Sequence, residues 1–195
     1  MEVHREGGTL VISRGRGAVP IRLHWSLAIA MALAGRFTLG GAVGIFVVIL
    51  VHELGHAALV RARGLRAIGI EMHWMGGECR YDGSGASPLD VSIVAWGGVA
   101  AQAVLLAIAW PLARILEPTG VLGDLAYALV VPNFVIMALN LLPIGPLDGA
   151  RAWALLPMLG RRAGRRRLEE KHEKLRRELD ALRRRRERDS DADDE

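Results

Sequence analysis

Three long apolar runs with few charges, residues 42–61, 91–116 and 125–142, dominate the chain, and each is long enough for a helix to cross a bilayer, which takes about 17–25 residues. A fourth run, 23–39, is interrupted by Arg36, with Trp25 suited to one interface and Arg36 able to snorkel to the other. Gly40 and Gly41 turn it into the next run. The pattern predicts an α-helical polytopic membrane protein with about four transmembrane helices. Between the second and third runs the period changes: Ile68, Ile70, Met72 and Trp74 alternate with Gly69, Glu71 and His73, the mark of a strand. Gly76-Gly77 then turns the chain, and Glu78 to Tyr81 return as the partner of a short membrane-associated β-hairpin. Beyond residue 160, Leu168, Leu175 and Leu182 follow heptad spacing among alternating Glu and Arg, which predicts a charged helix giving way to disorder over Asp189 to Glu195. The chain thus divides into a membrane core, 1–160, and a charged cytoplasmic tail, 161–195.

Composition sharpens this division. Hydrophobic residues make up 51% of the chain, and the mean hydropathy of +0.25 is too apolar for a soluble domain of this size. More than half of the 25 Lys and Arg and about half of the 21 Asp and Glu lie in residues 161–195, so the body is nearly neutral. A basic pI near 10.0 would suit a nucleic-acid partner, but the apolar body excludes that class. The tail reads either as a solvated helix or as a docking element for anionic lipid or a coiled-coil partner. Cys79 is the single cysteine, which excludes a disulfide framework and a Cys-rich zinc module. Arginines set orientation, since short cytoplasmic loops retain them. Arg5, Arg14, Arg16 and Arg22 precede the first run, Arg61, Arg63, Arg66 and Arg80 lie between the second and third, and Arg151 and the tail follow the fourth. Both termini and the Arg61 to Pro88 loop are therefore expected in the cytoplasm.

The second run contains His52-Glu53-Leu54-Gly55-His56, the H-E-x-x-H pattern. On a helix the two imidazoles stand one turn apart on one face, able to share a zinc ion, with Glu53 beside them as general base. Three ionisable side chains inside a membrane run are costly, which argues for function. Catalytic zinc takes three protein ligands and keeps one position for water. Glu71, Glu78, Asp82 and Asp90 lie in the polar loop, and Glu117 and Asp124 on the opposite side; Asp148, just after the fourth run, is the best-placed third donor. Pro143 and Pro146 break the helix there, so the Asn140 to Gly149 segment must turn back at membrane depth, where irregular backbone is tolerated against protein or a wet cavity.

His52 to His56 together with Asn140-Leu-Leu-Pro-Ile-Gly-Pro-Leu-Asp148-Gly149 resembles the site-2 protease family of intramembrane zinc metalloproteases, whose signatures are HExxH and a later NxxPxxPLDG-type segment. The similarity extends to the Ile21 to Trp25 entry, Gly76-Gly77 and Gly97-Gly98, covering roughly residues 18–156. It implies that His52, His56 and Asp148 hold one zinc per chain, that Glu53 is the catalytic acid/base and that Asn140 assists near the site. It also implies an integral protein of a prokaryotic plasma membrane that cleaves single-span membrane proteins and releases cytoplasmic fragments. Gln102 stands where many members carry Asn, Val99 where many carry Pro, and Ala150 where a second Gly is common.

From the residues alone, Asn140 either donates to charge developing at the reacting carbonyl or links two helices. The strand bearing Ile68, Ile70 and Met72 either offers an unpaired edge to an extended substrate or merely covers the membrane surface. A proteolytically silent scaffold that binds membrane helices is the rival from another class, and a small metal transporter is a second. Glu53 argues against the first, because a structural site needs no base. The scarcity of polar residues in the other runs argues against the second.

Overall fold

The computed structural model describes residues 2–13 and 19–193, so Arg14, Arg16 and residues 194–195 lie outside the described residues. It divides into two units, 1–154 and 155–195. The first contains strands β1 (Glu2–Glu6), β2 (Thr9–Ser13) and β3 (Ile21–His24), helices α1 (Leu27–Ala34) and α2 (Leu39–Ala62), and strands β4 (Arg66–His73) and β5 (Gly76–Asp82). Helices α3 (Pro88–Leu116), α4 (Gly120–Asn140) and the short α5 (Gly149–Ala152) follow. The second unit is one helix, α6 (Leu155–Asp193), which continues past residue 189, where the sequence pattern places its end.

Among the described residues, three helices, α2, α3 and α4, are long and apolar enough to cross a membrane. Thr38 caps α2 by accepting the Gly41 N–H at 3.1 Å. Ser87 and Asp90 form a capping box on α3 with Pro88 in its first turn, where a missing N–H costs nothing. Gly55 of α2 and Gly97 of α3 meet backbone to backbone, and a Cβ on either would collide with the other helix. This close crossing brings the polar residues of α2 within reach of α3.

The first apolar run departs from expectation. It is not a membrane-length helix: residues 23–24 finish β3, and α1 has 8 residues, about 12 Å of rise. Arg36 and Phe37 then take left-handed conformations (φ 58° and 57°) in the turn before α2. The Arg36 guanidinium lies 5.0 Å from the Tyr127 ring centroid on α4. The reason is that residues 21–23 have a better partner than a helix would give them. Ile21, Arg22 and Leu23 pair in parallel with Ile70, Glu71 and Met72 of β4.

That pairing enlarges the expected hairpin into a five-stranded sheet ordered β1-β2-β3-β4-β5. β4 and β5 run antiparallel, with Ile70 opposite Cys79 and a register irregularity between Ala67 and Gly69. Ile70 and Met72 belong to one buried cluster with Leu27, Ile45, Ile49 and Ala57, so β4 lies back along α2. β4 is therefore an interior strand. The open edges of the sheet are β1 and β5.

Candidate metal centre

His52 and His56 face α3, where the acceptors they meet decide which ring nitrogen is free. His56 Nδ1 is 2.8 Å from the Val94 carbonyl oxygen, which can only accept, so Nδ1 carries the hydrogen and Nε2 a lone pair. His52 Nδ1 is 2.9 Å from Gln102 Oε1, which as oriented accepts from Nδ1 and leaves Nε2 free. Gly98, one turn before Gln102, leaves the space that the His52 imidazole fills; a Cβ there would enter the ring.

Both free nitrogens point at Asp148. Its Oδ2 lies 2.9 Å from His52 Nε2 and 3.1 Å from His56 Nε2, and the two Nε2 atoms are 3.0 Å apart. Three electron-pair donors on one point repel one another unless a cation sits among them. Donors about 2.0–2.1 Å from a tetrahedral centre lie about 3.3 Å apart, so two imidazoles and a carboxylate at this spacing fit a zinc-sized ion with one face left open. His52, His56 and Asp148 all lie within 4.8 Å of one another in their donor atoms.

Asp148 follows the break that ends α4 at Asn140, and α3 fixes the loop carrying it. Ser92 Oγ donates to the Arg151 carbonyl at 2.7 Å, and Trp96 Nε1 to that of Ala152 at 2.9 Å. Trp153 Nε1 closes the loop onto the Leu141 carbonyl at 2.7 Å, and its ring stands edge-on to Trp96.

Glu53 is 2% exposed and ligates nothing in this set. Its carboxylate packs against the β5 backbone at Gly77, where a Cβ would displace it. A cavity of about 690 Å³ connects these groups and is lined by His52, Glu53, His56, Ile68, Asn140 and Asp148, with β5 along one wall. Asn140 enters it from the last turn of α4. Cys79 also lines it, but burial pushes its thiol up to about 12, far from a nucleophile's range.

Ile70 and Met72, expected to bind substrate, do not line the cavity. They are 1% and 0% exposed in the core against α2, and β3 and β5 occupy both sides of their strand. Ile68 alone of the three lines the cavity. Sequence reasoning missed Val94, and it had Gly77 and Gly98 only as part of the resemblance, with no role at the site. Gln102 carried a usable signal, a buried amide inside an apolar run.

No family model matches the chain. Two curated relatives do, the Rip3 proteins of two strains of Mycobacterium tuberculosis, whose name includes the words zinc metalloprotease. Each is 30% identical over 139 residues, 69% of this chain. The chain spans 33% of the length of those relatives. A solved structure, the site-2 protease from Methanocaldococcus jannaschii, superposes with a TM-score of 0.57 over 76% of this chain and 71% of that one, at 19% identity. The chain is thus similar in sequence to named zinc metalloproteases and in fold to a site-2 protease. The resemblance carried by HExxH and the Asn140 to Gly149 segment thus extends to the fold, and the two segments meet in one cavity.

Proposed function

We propose that the chain is an intramembrane zinc endopeptidase that cleaves single-span membrane proteins in or near their transmembrane segment and releases a cytoplasmic fragment. The observation that carries this reading is the convergence of His52, His56 and Asp148 beside an unligated Glu53 in an open cavity. His52, His56 and Asp148 would hold one zinc. Zinc bound there supplies Lewis acidity, which makes water nucleophilic near neutral pH and favours negative charge on an attacked carbonyl oxygen. Glu53 takes the proton from the attacking water and passes it to the leaving amine. Asn140, on the same cavity wall, donates to the carbonyl oxygen as its charge develops.

Counted from Ala62 at the end of α2, His56 lies about 9 Å and His52 about 15 Å along the helix axis, so water reaches them only through the cavity. A helical substrate hides its peptide groups and must be extended before attack. β5, an edge strand whose Gly77 touches Glu53, supplies replacement backbone hydrogen bonds to the extended segment. The Arg61 to Pro88 loop, and with it the mouth of the cavity, faces the cytoplasm of a prokaryotic cell. Zinc analysis of the purified protein tests the centre: about one zinc per chain is expected, a chelator should abolish cleavage of a reconstituted single-span substrate, and added zinc should restore it. Full zinc occupancy in His56→Ala, or cleavage indifferent to the chelator, would overturn the reading.

A further inference from the structure

Behind His52, away from the cavity, lie two amides that the metal set does not use. Gln102 of α3 and Asn133 of α4 are both 0% exposed. Asn133 Nδ2 donates to the main-chain oxygen of Gln102 at 3.2 Å, and because that oxygen can only accept, Asn133 must present its Oδ1 as an acceptor. Two buried side-chain atoms among the described residues have no partner: Gln102 Nε2, a donor, and Asn133 Oδ1, an acceptor. Leaving a buried polar atom unpaired costs about 1–3 kcal/mol, and apolar side chains of similar size would avoid that cost inside a membrane.

Gln102 by itself does not decide the state of His52. Its amide could turn over and donate to a bare Nδ1, which would place the ring hydrogen on Nε2 and block ligation. We propose that Asn133 removes this freedom: its Oδ1 takes the Gln102 amide N–H through one buried water, which leaves Oε1 as the only group facing His52. Gln102 and Asn133 are then positioning residues that lock His52 in the ligating tautomer and tie the metal centre to α4. The arrangement matches the way outer-shell acceptors orient ligating imidazoles elsewhere, whose loss typically costs about 10–100-fold in metal affinity.

The proposal rests on the zinc reading, and the test separates the two. Zinc dissociation constants are measured by chelator competition for the wild type, His52→Ala, Gln102→Leu and Gln102→Glu, with the visible spectrum of the cobalt-substituted proteins recorded in parallel. Gln102→Leu should weaken zinc about 10–100-fold and shift the cobalt bands, whereas Gln102→Glu, which keeps an acceptor in place, should stay within about threefold of wild type. A packing role predicts the reverse, with Leu tolerated and a buried carboxylate harmful. Wild-type affinity in Gln102→Leu, or an equal loss in both variants, overturns the proposal. Should Gln102→Leu fail to fold, a tenfold or greater loss in Gln102→Glu overturns it alone. If His52→Ala itself binds zinc like the wild type, the metal centre and this proposal fall together.

Discussion

At the residue scale, α3 acts as a template for the metal centre. Val94, Gly98 and Gln102 stand one turn apart and give, in order, an acceptor for His56, room for the His52 ring and an acceptor for His52. His52, Glu53 and His56 were legible in the sequence because their spacing is local, and Asp148 because little else carried a carboxylate on the right side. The template was not, because nothing within α3 says which of its faces meets α2; the Gly55–Gly97 crossing decides that. Asp148 depends on contacts of the same long-range kind. Trp153→Phe keeps the ring against Trp96 but removes the N–H that closes the loop on Leu141. It should cost about 1 kcal/mol of stability and a few-fold in zinc affinity, read by thermal unfolding and chelator competition. Asp148→Ala, which removes a donor outright, should lose more than about a hundredfold.

At the element scale, the three spanning helices were readable from hydropathy, since length and composition alone determine them. The sheet was only half readable. The alternation of residues 68–74 reveals a strand, but not that residues 21–23, apolar enough for a helix, pair with it in parallel across more than forty residues of chain. That pairing changes what mutations mean. Ile70→Pro removes the N–H that bonds the Pro20 carbonyl at 2.9 Å and disrupts a buried cluster, so it should destabilise the whole core and says nothing about substrate. Ile70→Ala should cost about 2–5 kcal/mol in an unfolding measurement. Substrate pairing is tested on β5 instead. With Cys79 replaced, a cysteine at Tyr81 should cross-link to one placed near the scissile bond of a substrate, and a cysteine at Val3 on the other sheet edge should not. Equal cross-linking at both edges, or at neither, would remove β5 from the mechanism.

At the scale of the whole molecule, β3 and α1 together lie along α2, so the N-terminal strands and the Arg61 to Pro88 loop meet in one sheet and share a side of the membrane. In the orientation proposed from the arginine pattern, that side is the cytoplasm. A cysteine at Ser84 should therefore resist a membrane-impermeant thiol reagent in intact cells while one at Thr119, between α3 and α4, reacts; the opposite labelling would invert the orientation. The central claim, that this buried centre is built for hydrolysis and not only for holding a metal, turns on Glu53, a buried carboxylate with no place among the ligands. The most direct measurement compares wild type and Glu53→Gln in proteoliposomes carrying a single-span substrate, with zinc content and cleavage rate determined on the same samples. Equal zinc, about one per chain, with cleavage lowered by at least about a hundredfold in Glu53→Gln is the predicted result; equal zinc with wild-type cleavage would contradict the account.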